Sequence, residues 1–434
     1  MDLLEDLRWR GLLHQVTDEA TAKAALSPGQ SCGIYIGFDP TADSLHVGSL
    51  LQITLLMRVA LAGHRPIALV GGGTGMIGDP SGKSAERKLQ TDADVRANAE
   101  AIETQILHVW RNMAAALADA ERPPEPQFEN NATWLSSLNV IDFLRDIGKH
   151  FSVNAMIQRD SVKTRLEARE QGISYTEFSY MLLQAYDFLE LYGRCDCRAQ
   201  FGGSDQWGNI VSGTDLIGRL AAGAAEKPAF GVTVPLITAK NGQKFGKTEQ
   251  GTIWLDAART SPYQFYQFWY NVDDVDAVNY LKLFTFFSDG VVEKILRDAA
   301  AGGNPRYVQT ALASSMTAMV HGRSAADEAA HANAYLFGGS VERAGVGVFD
   351  HVLRHEIPTV IVAPGARSID LLVGANRPFQ SNGEAKRAVQ ANSITMNGKK
   401  LAIDDLNLPP DLLFGRFVLT RSGKRNFYLA DFGA

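Results

Sequence analysis

The sequence predicts an α/β protein: a parallel sheet wound with helices and interrupted by a helical insertion, followed by an α-helical domain and a small α+β domain. Three observations predict it. Along the first 240 residues, short apolar runs rich in β-branched residues alternate with apolar segments of helical length, the pattern of βα units around a parallel sheet. Two strand-to-helix turns are glycine-rich, Gly71-Gly-Gly-Thr-Gly75 and Gly202-Gly-Ser-Asp-Gln-Trp-Gly208. The last seventy residues instead carry a capping-box pattern and two hairpin-turn dipeptides between short strand-like runs.

At 434 residues, 45% hydrophobic and 21% charged, the chain is long enough for two or three domains with cores of their own. The N-terminus is acidic and mixed, and no apolar run approaches the roughly 20 residues of a spanning helix. The expectation is a cytoplasmic protein without a membrane partner. Cys32, Cys195 and Cys197 are too few for a disulfide framework, and Cys-x-Cys without a second pair is poor zinc spacing. No metal site is expected among them.

Taken in order, Met1 to about Lys23 reads as a polar amphipathic lead-in. Gly33 to Asp39 (GIYIGFD) is the first strand. A polar turn follows, and His46-Val-Gly48 opens an apolar helix, Leu50 to Leu61, that stops at Gly63. Strand, polar loop and buried helix in that order form an anion site. Thr41 and His46 can meet phosphate oxygens at the helix start, with Tyr35 and Asp39 at the strand's carboxyl end.

Arg65 to Val70 is the second strand and runs into the first glycine-rich turn. Gly73-x-Gly75-x-x-Gly78 matches a dinucleotide fingerprint, but no clear helix follows before Pro80. Gly82-Lys83-Ser84 lacks the glycine a Walker loop needs, since Ile77 stands there. Gln90 to about His108 is helical, Ala114 to Asn131 is a connector with three prolines, and Trp134 to Glu170 reads as inserted helices. The domain thus becomes a Rossmann-like sheet spanning 1–240 with an insertion at about 115–175.

Tyr175 to Leu191 has strong helical periodicity, with Gly193 just past its end. Tyr180, Gln184 and Asp187 fall at i, i+4 and i+7 and share one face. They form either a satisfied polar seam or the wall of a small polar pocket. Cys195 to Gln200 is a further strand, and the Gly202–Gly208 turn follows with Ser204 as an N-cap and Asp205 placed for the helix dipole. Phe230 to Thr238 is another buried strand. A basic loop, Lys244-Phe245-Gly246-Lys247-Thr248, lies within 241–260. Residues 261–337 read as an aromatic helical domain and 338–365 as a linker.

The unit 366–434 is compact. Ser381-x-x-Glu384 opens a short helix, and Asn397-Gly398 and Ser422-Gly423 are hairpin turns. The net charge of −6 hides an asymmetry: from Gly365 to Ala434, 10 Lys+Arg stand against 6 Asp+Glu, giving +4 there and −10 elsewhere. Lys386, Arg387, Lys399, Lys400, Arg421, Lys424 and Arg425 crowd the helix and turns, a face suited to RNA.

These motifs together resemble a bacterial-type tyrosyl-tRNA synthetase, a class I aminoacyl-tRNA synthetase, over nearly the whole chain. FDPTADSLHVG is similar to that family's HIGH-type stretch, KFGKT to its KMSKS-type loop, YTEFSYMLLQAYDF to its tyrosine-pocket helix and GGSDQWGN to its second nucleotide turn. Residues 366–434 look like its S4-type RNA-binding domain. The resemblance implies that Tyr35 and Asp187 meet a substrate phenol, that Asp79, Tyr180 and Gln184 hold the α-ammonium, and that Gln206 lies near the carboxylate. It implies that Gly37, Asp39, Ser49, Asp205, Leu236, Ile237 and Lys247 seat the adenosine. Thr41, His46, Lys83, Arg87, Lys244, Lys247 and Thr248 are then the catalytic groups around the triphosphate. ATP as a substrate with Mg²⁺, no tightly bound cofactor, L-tyrosine and tRNA(Tyr) as partners, and a homodimer through the inserted helices are further implications. One position departs: the family's HIGH stretch usually ends in a second histidine, and Ser49 stands there.

Tryptophanyl-tRNA synthetase shares this architecture, but Tyr35 with the Tyr180, Gln184 and Asp187 face suits a phenol. A dinucleotide-dependent oxidoreductase leaves the KFGKT loop and the basic tail without a role. A non-catalytic RNA-binding protein leaves two nucleotide turns on one sheet unexplained.

Overall fold

The computed structural model describes residues 2–79, 90–117, 122–159, 162, 163, 166, 173–221, 223–237, 245–248, 251–337, 345–423 and 426–433. They fall into two compact units, Met1–Ser261 with Phe268–Gly322, and Pro262–Gln267 with Arg323–Ala434.

The first unit is built on a six-stranded sheet. Its strands are β1 (Gln15–Val16), β2 (Gly33–Phe38), β3 (Arg65–Val70), β4 (Gln127–Asn130), β5 (Cys197–Gly203) and β6 (Phe230–Val234), in the order β1-β6-β5-β2-β3-β4. Strands β2 to β6 are mutually parallel, and β1 closes one edge antiparallel to β6. The strand order reverses between β2 and β5. In an open α/β sheet, that reversal leaves a crevice outside the strands' carboxyl ends.

Local chemistry explains the elements that frame this crevice. The Val47–Leu61 helix is capped by His46, whose Nδ1 accepts from Gly48 N–H at 3.0 Å. Eleven of its fifteen residues are buried, so it sits between other layers and not at the surface. Gly71 and Gly72 leave no room for side chains: a Cβ on Gly71 would fall 2.7 Å from Thr74 Oγ1, and one on Gly72 would collide with Asn130 Oδ1.

Several expectations from the sequence need correction. The lead-in at 1–23 contains strand β1 between two helices, Leu3–Arg10 and Glu19–Leu26. The expected connector 114–131 ends in β4, parallel to β3. Both strands sit at sheet edges; one has two residues and the other reads Gln-Phe-Glu-Asn, so neither shows apolar alternation. The polar helix before β4 runs to Ala116 and not to His108. The Tyr175–Cys195 helix passes through Gly193 and ends where Asp196 turns left-handed at φ 47°. Helices Asp274–Phe284, Asp289–Ala300 and Tyr307–His321 belong to the first unit, so 261–337 is not one separate helical body.

After a two-stranded ribbon in the first unit, β7 (Lys247–Thr248) and β8 (Gly251–Thr252), the second unit holds a sheet of β9 (Thr359–Ile361), β10 (Ile394–Met396), β11 (Lys399–Lys400), β12 (Phe417–Ser422) and β13 (Asn426–Asp431), in the order β11-β10-β12-β13-β9. The expected linker 338–365 is structured where it is described: it is helical from Gly345 to Glu356, and β9 (Thr359–Ile361) then pairs in parallel with β13 (Asn426–Asp431). Strands β10 (Ile394–Met396) and β11 (Lys399–Lys400) are joined by Asn397 and Gly398 at φ 49° and 81°, the left-handed pair of a tight hairpin. Ser381 caps the Asn382–Gln390 helix, while Glu384 reaches back to Gln380 N–H at 3.1 Å. That helix packs through Ala385 and Val389 on one sheet face, with Ile394, Met396 and Val418 of β10 and β12 (Phe417–Ser422). Phe417, Leu419, Phe427 and Leu429 pack the other face.

Candidate active site

At the deep end of the crevice, Tyr35 of β2 and Asp187 of the Tyr175–Cys195 helix are both buried. Asp187 accepts from Trp134 Nε1 at 2.7 Å and from Asn131 Nδ2 at 2.8 Å. Burial pushes its carboxyl up to about 7, against the pull of those two donors toward the ionised form. The Tyr35 hydroxyl makes no hydrogen bond among the described residues. Burial, with the neighbouring Asp187 charge, holds it well above its ordinary range.

Asn131 and Trp134 are the residues that sequence reasoning missed. Asn131 accepts from Gly73 N–H at 2.7 Å and donates to Thr74 Oγ1 at 2.8 Å and to Asp187. One amide therefore joins the glycine-rich turn after β3 to the pocket helix. Its only signal was an Asn-Asn pair before a lone tryptophan.

A second network lies beside the first. Gln206 Nε2 donates to Asp79 Oδ2 at 2.7 Å, Gln184 Nε2 donates to Gln206 Oε1 at 3.1 Å, and Asn209 Nδ2 donates to Gln184 Oε1 at 2.9 Å. Three residues expected around one ligand backbone, Asp79, Gln184 and Gln206, are thus bonded in a row. Tyr180 is buried on the same helix as Gln184 and Asp187. Asp205 stands next to this row, and burial together with the Asp79 charge raises its carboxyl. A Cβ on Gly203 would fall 2.5 Å from Asp205 Oδ1 and 3.3 Å from Leu236 Cδ2, so the ends of β5 and β6 converge there. Ile237 follows Leu236 beyond β6.

The outer end joins the two basic motifs. Val47 N–H donates to Ile253 O at 2.9 Å, Leu255 N–H to Leu45 O at 2.9 Å, and Ile253 N–H to Gly246 O at 3.1 Å. A Cβ on Gly246, at φ 84°, would fall 2.5 Å from Val47 Cγ1. Strand β7 (Lys247–Thr248) pairs with β8 (Gly251–Thr252) directly beyond. The backbone at Gly246 therefore lies against the start of the helix that His46 caps. Thr41 and His46 are exposed, and Asp39 and Ser49 are half-buried. Gly37 is exposed, and no described residue comes within 4 Å of its Cβ position, which leaves room for a ligand. Lys83, Arg87 and Lys244 lie outside the described residues.

The basic residues of the second unit are not all on one surface. Thr395 pairs with both Lys400 and Arg421, and Arg421 with Phe427, which sets these positions in one row across the sheet. Lys399 pairs with Met396 and so starts from the opposite face, the one covered by the helix bearing exposed Lys386 and Arg387. Lys424 and Arg425 lie outside the described residues.

A largely parallel sheet with two polar networks and a histidine-capped helix start at its switch point is the architecture of a nucleotide-binding α/β protein. The chain belongs to the family described as "tRNA synthetases class I (W and Y)", which matches residues 27–338. Residues 350–430 match the "Tyrosine--tRNA ligase SYY-like C-terminal domain". It is 44% identical over 442 residues to the tyrosine-tRNA ligase of Porphyromonas gingivalis and 45% identical over 432 residues to that of Geobacillus kaustophilus, with 99% of each chain covered in both cases. Among solved structures, it is similar to a C-terminally truncated mitochondrial tyrosyl-tRNA synthetase from Aspergillus nidulans, with TM-score 0.68, 30% identity, and 77% and 94% of the two chains covered. The fold also matches the Archaeoglobus fulgidus tyrosyl-tRNA synthetase at TM-score 0.54 and 16% identity, over 76% of this chain and all of that one.

Proposed function

We infer that the chain is a tyrosine-tRNA ligase, which activates L-tyrosine with ATP to tyrosyl-adenylate and pyrophosphate and then transfers tyrosine to the 3′-terminal ribose of tRNA(Tyr). One observation carries the reading: a buried carboxylate and hydroxyl, Asp187 and Tyr35, stand beside the Asp79-Gln206-Gln184 row on the sheet whose first helix meets the Gly246 backbone at its start.

In this reading, Tyr35 and Asp187 meet the phenol, and Asp79, Tyr180 and Gln184 hold the α-ammonium. Gln206 orients the carboxylate whose oxygen attacks the α-phosphorus. Gly37, Asp39, Ser49, Asp205, Leu236, Ile237 and Lys247 seat the adenosine. Thr41, His46, Lys83, Arg87, Lys244, Lys247 and Thr248 surround the phosphates and stabilise the departing pyrophosphate. No side chain forms a covalent bond; rate comes from in-line placement and from positive charge where negative charge develops. ATP would bring Mg²⁺ on its own phosphates, where the ion would offset their charge.

The basic residues of the second unit are proposed to hold the tRNA backbone. Val140, Ile141, Leu144 and Val153, exposed on the inserted helices, support a homodimer through that surface. Among the described residues, no helix is long and apolar enough to cross a membrane. The three buried, unpaired cysteines fit a cytoplasmic setting. Tyrosine-dependent pyrophosphate exchange tests the reading: tyrosine alone among the twenty amino acids should support it. Exchange driven by tryptophan would select the sister specificity instead.

A further inference from the structure

The Asp274–Phe284 helix is bonded to the helix that carries the first motif and packs around the aromatic residue of the second. On one side, its Tyr280 and Phe284 join Phe268 and Trp269 around the ring of Phe245, the aromatic residue inside the KFGKT stretch. Ring centroids lie 5.1 Å from Tyr280, 5.3 Å from Phe284, 5.6 Å from Phe268 and 5.7 Å from Trp269. Phe284 stacks at 23° and the other rings are tilted or edge-on, the arrangements that ring quadrupoles favour. Trp269, Tyr280 and Phe284 are buried.

At its carboxyl end, the same helix is held by arginines. Arg58, on the helix that His46 caps, donates to Thr285 O at 2.6 Å and pairs with Asp6 at 3.3 Å. Arg10 donates to Lys282 O at 2.9 Å and Thr285 O at 3.0 Å, and pairs with Asp6 at 2.8 Å. Guanidinium groups satisfy carbonyls that a helix end leaves unpaired. One helix is therefore bonded to the element carrying the first motif and packed around the anchor of the second.

We propose that Phe245 is a positioning residue for adenylate formation: its seat among Phe268, Trp269, Tyr280 and Phe284 fixes the Gly246-Lys247 backbone against the start of the Val47–Leu61 helix. A lysine side chain has many rotamers, and anchoring its backbone reduces the freedom it must lose to reach a developing charge. Phe245 touches no substrate in this scheme and acts through the residues beside it. The proposal rests on the crevice being an adenylating site.

The full-length protein, Phe245→Ala, Phe245→Met and Tyr280→Leu are compared by tyrosine-dependent pyrophosphate exchange, single-turnover adenylate formation, equilibrium tyrosine binding and thermal unfolding. Phe245→Ala should slow adenylate formation by about 100-fold, the scale of an ångström-sized misplacement at a reacting centre, with tyrosine affinity unchanged. Phe245→Met should recover most of the rate, and Tyr280→Leu, which alters the socket alone, should reproduce part of the loss. A wild-type rate in Phe245→Ala overturns the proposal, as does a parallel loss of tyrosine affinity or a rate that only tracks the unfolded fraction. If Phe245→Ala does not fold, the other two variants decide by the same split between rate and affinity. An unmodified protein without tyrosine-dependent exchange would fail the functional reading itself; an active one matched by Phe245→Ala fails only the socket.

Discussion

The deep and outer ends of the crevice are wired in opposite ways. Tyr35 and Asp187 are 1% and 2% exposed, and Asp187 is held by side chains from a different part of the chain. His46 and Thr41 are exposed, and backbone hydrogen bonds tie the segment around His46 to residues 253–255. Choosing one ligand over a near-isostere needs desolvated polar groups, because a wrong ligand then strands them at roughly 1 to 3 kcal/mol each. Stabilising a leaving pyrophosphate needs cations that phosphate can reach. Buried, fixed side chains belong at the first end, and accessible side chains on an anchored backbone at the second.

The largest effect should follow from cutting the deep end. Asp187→Ala removes the proposed phenol partner and strands the Trp134 and Asn131 donors. Tyrosine activation should fall by on the order of 100-fold or more, with the ATP dependence little changed. Unchanged tyrosine turnover in pyrophosphate exchange would show that the phenol is read elsewhere and would erase the contrast.

A milder cut sharpens it. The Asp187 carboxyl, pushed up to about 7 by burial, accepts a phenol hydrogen more strongly when ionised, so tyrosine affinity should fall as pH drops below about 7. Asn131→Ala removes a donor to that carboxylate. The midpoint should then move to higher pH, with an affinity loss of about tenfold near neutrality. The sign for stability is opposite. An unfolded aspartate titrates near ~4, so the folded protein binds the extra proton between there and about 7, and this group's contribution to stability declines as pH rises through that window. Isothermal titration across pH in both proteins reads the first effect, and urea unfolding the second.

How much of this contrast was legible in the sequence follows the same division. The outer end was written in contiguous motifs: HVG and KFGKT could be located by eye, and the structure brings Gly246 of the second against Val47 of the first. Tyr180, Gln184 and Asp187 were legible through helical spacing. Asn131 and Trp134 were not, because their partner Asp187 is 56 and 53 residues away along the chain and they follow a polar edge strand without alternation. Likewise, β9 was hidden in a stretch marked by Pro358 and Pro364, because a three-residue strand has no period to detect.

The second unit extends the comparison to a surface with no deep end. Lys400 and Arg421 lie in one row across the sheet, so Lys400→Glu should weaken tRNA charging, lower its salt dependence and leave amino-acid activation intact. A variant whose charging loss is insensitive to salt would remove the phosphate-contact role. The effect should be smaller than that of Asp187→Ala, because one exposed contact among several is lost.

The smallest expected effect is at Ser49, where the family resemblance implies histidine. Ser49 N–H donates to His46 O at 2.8 Å and its side chain is half-buried at the helix start, so a hydroxyl already stands where a ribose contact is proposed. Exchanging one hydrogen-bonding group for another is worth about 0.5 to 1.5 kcal/mol. Ser49→His should therefore change adenylate formation by no more than about tenfold, measured by titrating ATP against both proteins. A much larger gain would identify Ser49 as a defect in the outer end.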